Sequence, residues 1–374
     1  MIYLDNAATT KPCEAAVKAV CDTMRGRFGN ASSLHKLGIS SGEVLSVAKK
    51  TLLTALGSSP AVSGGRPLDG EIYFTSGATE SNNTALFGAC DAYKRAGKRV
   101  VSTTIEHPSV ARVLDKLETL GFEVVRLSPK DYDDFAAALA DAVDEKTVLV
   151  SCMAVNNETG FATDVKRLYK LVKKKNPATL VHIDAVQGFL KVPLDGDFIS
   201  ISGHKIHAPK GIGALYVKKG VRFTPLLLGG GQQKNLRSGT EPVELVAGLS
   251  AAVTSYAGTK EHFGALKAHL LERLSELDGI TLNSDDRCVP NIVSFAVGGV
   301  RSEIMLHILE EQEIYVSSGS ACSKGKKSGV LSRFGISDKD ADTTLRVSFS
   351  SETTAAEIDA LCDGIRKGIE RVRR

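Results

Sequence analysis

No run of 18 apolar residues occurs in the 374-residue chain, so no segment has the hydropathy of a membrane-spanning helix. The first ten residues carry neither a basic start nor a long apolar core. An ordinary secretory signal is therefore not expected, and a cytoplasmic location is. An excess of one charge is also lacking. With 47 basic and 43 acidic residues the net charge is +4, too little for a protein that coats nucleic acid or a membrane surface. The seven cysteines (Cys13, Cys21, Cys90, Cys152, Cys288, Cys322 and Cys362) are scattered and form no Cys-x-x-Cys pair, which argues against a disulfide framework or a zinc site. His204 and His207 have ligand spacing, but no second cluster completes a four-ligand set, so no metal is expected. Internal repeats, low-complexity segments and a Gly-x-x-x-x-Gly-Lys-[Ser/Thr] phosphate loop are missing as well.

What is present is an ordinary globular composition, 43% apolar and 24% charged, on a chain long enough for two domains. Helices are expected at 13–25 and 38–56. From residue 71, short apolar runs alternate with amphipathic stretches. Strands at 71–75, 99–103, 122–127, 147–153, 179–184, 198–201 and 214–217 alternate with helices at 80–96, 109–120, 133–142 and 165–174. This pattern predicts an α/β fold whose large domain has a mostly parallel seven-stranded sheet with helices on both faces. A helical region at 241–278 leads into a smaller α+β part. There, strands are expected near 291–297, 314–316 and 345–349, and helices near 302–311 and 354–372. The expected division is a large domain over 16–254 and a small one made of 1–15 and 255–374.

In sheets of this kind, ligands bind at the carboxyl ends of the strands. The segment Asp197-Phe-Ile-Ser-Ile-Ser-Gly-His-Lys205 ends an apolar strand in two hydroxyls, an imidazole and an amine. A partly desolvated lysine there suits covalent work, although this segment alone also reads as an ordinary strand end. Phe74-Thr-Ser-Gly-Ala-Thr-Glu-Ser-Asn-Asn83 is a glycine turn feeding a helix N-terminus, a place for a phosphate, with Thr79 as a helix cap the plainer alternative. Glu106-His107 offers a flat imidazole, and Asn156-Asn157 offers amides that would equally suit a turn. His182 and Asp184 share one strand face, and Asp184 ends an apolar run where a carboxylate needs a partner. An anion cradle, a stacking ring, an amide, a carboxylate and an amine together match a planar aromatic aldehyde that carries a phosphate and a ring nitrogen. Pyridoxal 5'-phosphate is such a molecule.

With those motifs the chain resembles the cysteine desulfurases of the class V aminotransferase family, fold type I pyridoxal-phosphate enzymes. Further matching stretches are Tyr3-Leu-Asp-Asn-Ala-Ala-Thr-Thr10, His182-x-Asp-Ala-x-Gln187, Arg237-Ser-Gly-Thr240, Ser318-Gly-Ser-Ala-Cys322 and Leu345-Arg-Val-Ser348. The resemblance implies that Lys205 is the Schiff-base lysine and shuttles protons, with Asp184 on the pyridinium nitrogen and His107 stacked on the ring. Gln187 and Asn157 would hold the ring's phenolic oxygen. Ala78, Thr79, Ser202 and His204 would bind the phosphate. Thr240 would reach the phosphate of the neighbouring subunit's cofactor, which implies a homodimer. Arg346 would clamp the carboxylate of L-cysteine, with Asn157, Asn6 and His35 also at the substrate.

Cys322 lies in a run of small and basic residues, 317–329, in which Lys324, Lys326 and Lys327 favour the thiolate. By resemblance to the long-loop subgroup, it takes the substrate sulfur as a persulfide, releases alanine and passes the sulfur to an acceptor protein. An iron–sulfur scaffold, a tRNA sulfurtransferase and a thiamine-synthesis protein are the implied acceptors, and no direct nucleic-acid binding is expected. Selenocysteine lyase, another class V aminotransferase and a non-catalytic sulfur carrier are the competing readings. The chain departs from the family pattern at Gln232-Gln-Lys-Asn235, where Gln-Glu-Arg-Gly is usual, and at Ala31, where proline is usual. Its short tail after the last helix slightly favours tRNA thiolation or thiamine synthesis over an iron–sulfur scaffold.

Overall fold

A computed structural model describes residues 1–57, 68–319 and 329–373. The chain begins with β1 (Ile2–Tyr3), α1 (Glu14–Gly26) and α2 (Lys36–Gly57). It continues through β2 (Gly70–Thr75), α3 (Ala78–Tyr93), β3 (Arg99–Thr103), α4 (Pro108–Thr119), β4 (Glu123–Leu127), α5 (Phe135–Asp141), β5 (Thr147–Met153), α6 (Val165–Lys175), β6 (Leu180–Asp184), β7 (Phe198–Ser202) and β8 (Gly213–Lys218). Next come α7 (Val243–Ser255), α8 (Lys260–Ser275), β9 (Ile280–Leu282), β10 (Ile292–Val297), α9 (Ser302–Glu310), β11 (Ile314–Tyr315) and β12 (Ser317–Ser318). The last elements are α10 (Gly329–Ser332), α11 (Asp338–Asp342), β13 (Thr344–Ser348) and α12 (Ala355–Arg373). Among the described residues no helix is long and apolar enough to cross a membrane.

The large sheet has seven strands in the order β2-β8-β7-β6-β5-β3-β4. Its pairs are parallel except those of β8, which runs antiparallel to both β7 and β2. Every residue of β5, β6 and β7 is buried, because helices cover both faces; this is why these strands read as continuous apolar runs. The covering helices are amphipathic. In α6, Val165, Leu168, Tyr169 and Val172 are buried at helical spacing, and Asp164 caps the first turn by accepting from the N–H of Arg167. The outer edge of β2 is closed by a side chain. Buried Gln233 accepts from the Phe74 N–H at 2.7 Å and donates to the Phe74 carbonyl at 2.9 Å. This glutamine belongs to the departing segment 232–235, where Gln233, Lys234 and Asn235 all take positive φ.

The second sheet, β12-β13-β10-β9, packs α8, α9 and α12 around its own apolar core. The N-terminal segment spans both sheets. β1 pairs with β11, Asp5 bridges to Ser348, and the Gln187 amide donates to the Ala7 carbonyl.

The expected helical region at 241–278 is two helices. Tyr256 turns the backbone extended, Thr259 caps α8 through the His262 N–H, and a Cβ at Gly258 would lie 2.6 Å from the Tyr256 hydroxyl. Helical periodicity continues through this corner, so it hides the break. The helix expected to start at 133 starts at Phe135, because Asp134 is its cap. The strand expected at 314–316 is β11, which pairs only with β1 in a two-stranded sheet, and β12 follows it as an edge of the second sheet. β9 was not expected, since Ile280-Thr-Leu282 is only three residues long, too short for an alternating pattern to register.

Candidate active site

The carboxyl ends of β5, β6 and β7 open into a cavity of about 650 Å³, closed on one side by Asp5, Ala7, Ala8 and Thr9 and on another by the β13 side chain Arg346. An open groove of about 820 Å³ lies between α1, α2 and α7, but it gathers none of the residues at the strand ends.

Lys205 ends a single 3-10 turn, Gly203–Lys205, directly after β7. A Cβ at Gly203 would sit 3.0 Å from the Ile212 carbonyl, so a small residue lets the turn pack against the strand that follows. The Lys205 ammonium donates to the carbonyls of Ala7 at 2.7 Å and Ala8 at 2.6 Å, which holds the amine at the mouth of the cavity.

Asp184 is the last residue of β6 and is buried. Burial raises its pKa above the ordinary aspartate value, while the Val186 N–H, the Asn82 amide, and the neighbouring His107 and Lys205 pull it down. Such a carboxylate is complementary to a cation brought in by a ligand. His107 caps α4, and its Nδ1 accepts from the Ser109 N–H at 3.1 Å. Desolvation depresses its pKa; Lys205 adds to this and Asp184 opposes it.

At the opposite end, no side chain caps α3, so its first-turn N–H groups face the cavity beside Thr79, Ser202 and His204. Burial, Lys205 and Lys210 lower the His204 pKa to about 4, so it presents a neutral ring. Close packing shapes this cradle: a Cβ on Gly213 of β8 would lie 2.7 Å from Gly77 Cα and 2.6 Å from the Ile201 carbonyl. The donor set is that of a phosphate site, and a buried carboxylate and a lysine line the same cavity. These residues therefore fit pyridoxal 5'-phosphate.

Ala78, Thr79, His107, Asn157, Asp184, Gln187, Ser202, His204, Lys205 and Arg346 all line this one cavity. The two amides of the 156–157 pair have separate tasks. Asn156 is buried and builds the turn, accepting from the N–H groups of Glu158 and Thr159, while Asn157 lines the cavity. Arg346 donates to the Asn157 carbonyl at 2.8 Å and to Asp5 at 2.6 Å.

Three expected residues stand outside the cavity lining. Asn6 is buried and turned to the Tyr3 and Ser348 carbonyls, so its amide fastens the N-terminal segment to β13. His35 is exposed and its Nδ1 accepts from the Gly38 N–H at the start of α2. Thr240 is exposed and does not line the cavity. Cys322 lies outside the described residues.

The sequence did not point to Asp5, Asn82, Ser109 or Lys210, nor to the carbonyls of residues 7 and 8. Glu106 is a further addition. Its Oε1 accepts from Thr103 Oγ1 and the Met153 N–H, its Oε2 is buried without a partner, and burial plus Asp184 push its pKa up to about 8. His182, which shares the strand face of Asp184, is instead a neutral core residue between the Ser151 and Ser200 hydroxyls, its pKa lowered to about 3 by burial.

Residues 2–361 match the family described as Aminotransferase class-V. A Lactobacillus delbrueckii subsp. bulgaricus protein named NifS/IcsS protein homolog is 37% identical over 375 residues, covering 96% of this chain and 94% of its own. Cysteine desulfurase IscS of Escherichia coli K12 is 36% identical over 394 residues, covering 100% of this chain and 93% of its own. Among solved structures, a NifS-like protein superimposes with a TM-score of 0.87 at 32% identity, covering 99% of each chain. The structure titled SspA in complex with cysteine gives 0.80 at 28% identity, covering 95% of this chain and 100% of the other.

Proposed function

The chain belongs to the class V aminotransferase family, and on that premise we propose that it is a pyridoxal 5'-phosphate-dependent L-cysteine desulfurase. The observation that carries the proposal is the single cavity joining Lys205, Asp184, His107 and Arg346 to the uncapped start of α3. When bound, the cofactor supplies an electron sink for carbanion chemistry at an amino-acid α-carbon.

The protein's own groups divide the remaining work. Thr79, Ser202, His204 and the α3 N-terminus anchor the phosphate, and Gln187 and Asn157 orient the ring. Asp184 would support a positive ring nitrogen, and His107 would hold the ring from its side of the cavity. Arg346 takes the substrate carboxylate with its planar fork. Lys205, with an amine able to give and accept, moves a proton at the substrate α-carbon. The Cys322 thiolate attacks the substrate sulfur, the carbon–sulfur bond breaks, and alanine leaves while the sulfur stays on Cys322 as a persulfide. An acceptor protein of iron–sulfur assembly, tRNA thiolation or thiamine synthesis then receives it.

Thr240 is assigned to the partner subunit's phosphate site in a homodimer. Its exposed position, two residues after Ser238, whose N–H donates to the carbonyl of Leu227 in a run of exposed leucines, supports that reading. The proposed setting is the cytoplasm.

The test is incubation of the cofactor-loaded protein with L-cysteine, measuring alanine and trapping persulfide by mass spectrometry. Alanine should accumulate with persulfide on Cys322, and Cys322→Ala should abolish both. A colourless protein that pyridoxal phosphate cannot restore, or alanine release that survives Cys322→Ala, would overturn the proposal.

A further inference from the structure

The ring of His107 is tied on one side to a chain of hydrogen bonds that the proposed reaction does not use. Its Nδ1 lies 3.1 Å from the Ser109 N–H and 2.8 Å from the Ser109 hydroxyl. The Asn82 amide nitrogen, on α3, lies 2.9 Å from the Ser109 hydroxyl and 2.9 Å from Asp184 Oδ2. The directions of these bonds follow from chemistry. A backbone N–H only donates, so Nδ1 accepts from Ser109. An amide nitrogen only donates, so both of its hydrogens are used, one on Asp184 and one on the Ser109 oxygen. The hydroxyl hydrogen is then left for Nδ1. A flipped Asn82 would set its oxygen against the Asp184 carboxylate. In the orientation observed, Asn82 Oδ1 is buried without a partner, the cost of presenting both hydrogens.

We infer that Ser109 and Asn82 are positioning residues that hold the His107 ring as its Nε2–H tautomer and connect it to Asp184 through one directed relay. The relay joins three elements, since Asn82 lies on α3, Ser109 in the first turn of α4 and Asp184 at the end of β6. Protonating the ring would put a hydrogen on Nδ1, where two donors already point, so the relay favours neutral imidazole. The charged groups facing the ring are Asp184 from β6, which favours imidazolium, and Lys205 from the turn after β7, which opposes it. A ring held neutral in one tautomer offers Nε2–H as its one donor and Nδ1 as an acceptor already engaged.

The inference deepens the proposed function at the same cavity and rests on it only for its consequence in turnover. Its test needs neither cofactor nor catalysis. Protein labelled with 15N-histidine and free of cofactor is titrated by long-range 1H–15N NMR, with His107 assigned by loss of its signals in His107→Gln. The expected spectrum shows the Nε2–H pattern for His107 at neutral pH. Ser109→Ala removes the hydroxyl donor, which should raise the His107 protonation constant about threefold or more, roughly half a pH unit. Ser109→Thr, which keeps a hydroxyl at the same atom, should restore the wild-type titration. An Nδ1–H pattern in the wild type, or a Ser109→Ala titration that superimposes on wild type, overturns the inference. Because the readout is independent of desulfuration, failure of the desulfurase assignment leaves it standing, and its own failure leaves that assignment untouched.

Discussion

Arg346 has two of its donors already engaged, with Asn157 O at 2.8 Å and Asp5 at 2.6 Å, while its Nε is buried without a partner. An incoming carboxylate must therefore share or displace Asp5, a like charge competing for one guanidinium. Asp5→Asn keeps an acceptor in place and removes the charge. The KM for L-cysteine should fall about three- to tenfold with kcat little changed, consistent with a like-charge penalty of about 1 kcal/mol relieved. A rise in KM would show that Asp5 chiefly orients Arg346 for the substrate. Arg346→Lys should move KM the other way, by at least tenfold, because an ammonium cannot reproduce the fork. The side chains that sequence made legible were those whose chemical type is unusual for a strand end: Lys205, Asp184 and His107. Asp5, 341 residues from Arg346 in the chain, carries no local sign of its partner, and the Ala7 and Ala8 carbonyls that receive Lys205 carry no side-chain sign at all. Asn6 and His35 illustrate the converse. Each was expected at the substrate, and in this chain each side chain hydrogen-bonds to backbone and stays outside the cavity lining.

At the level of elements, the cradle at the start of α3 depends on how closely β8 approaches the preceding turn. Gly213 allows that approach, since a Cβ there would meet Gly77 Cα at 2.7 Å and the Ile201 carbonyl at 2.6 Å, both of them backbone. Neither contact can be relieved by a side-chain rotation. Gly213→Ala should therefore displace the turn, at a cost of about 1–3 kcal/mol in unfolding free energy. It should also weaken pyridoxal-phosphate binding by about tenfold or more, since phosphate contacts demand placement within a fraction of an ångström. Chemical denaturation of the cofactor-free protein and a spectroscopic cofactor titration measure the two effects separately; unchanged affinity would mean that the turn does not shape the phosphate site. The alternation of strand and helix from residue 71 onward made the large sheet readable, because fully covered parallel strands must be apolar throughout. The same apolar signal does not distinguish strand direction, so the antiparallel course of β8 was not readable. The corner between α7 and α8 was hidden by a periodicity that ran across it, although Gly258 and the capping residue Thr259 mark the break in retrospect.

For the whole molecule, two buried titratable groups beneath the cavity make folding sensitive to pH in opposite directions. His182 lies between two serine hydroxyls with its pKa lowered from 6.5 to about 3, so the unfolded chain takes up its proton first as the solution becomes acidic. Its contribution is fully present above pH 6.5 and is lost as pH falls from there toward 3. Glu106 behaves in reverse. Its folded pKa is raised from 4.5 to about 8, so the native state keeps a proton that the unfolded state has released, and stability declines as pH rises through that window. Between pH 6.5 and 8 the histidine no longer changes and the glutamate alone sets the slope of this pair. Glu106→Gln isolates that slope. Glutamine's Oε1 can accept from Thr103 and the Met153 N–H as Glu106 Oε1 does, and its amide replaces an oxygen that already has no partner. Wild type should lose about 2 kcal/mol of unfolding free energy relative to Glu106→Gln on going from pH 6.5 to 8, at roughly 1.4 kcal/mol per unit. Urea unfolding of both cofactor-free proteins at the two pH values measures that difference, from which titrations common to both chains cancel. Parallel pH dependence in the two proteins would mean that Glu106 is ionised in the native state and held by cations nearby, which would reverse the electrostatic account of the ground beneath Asp184.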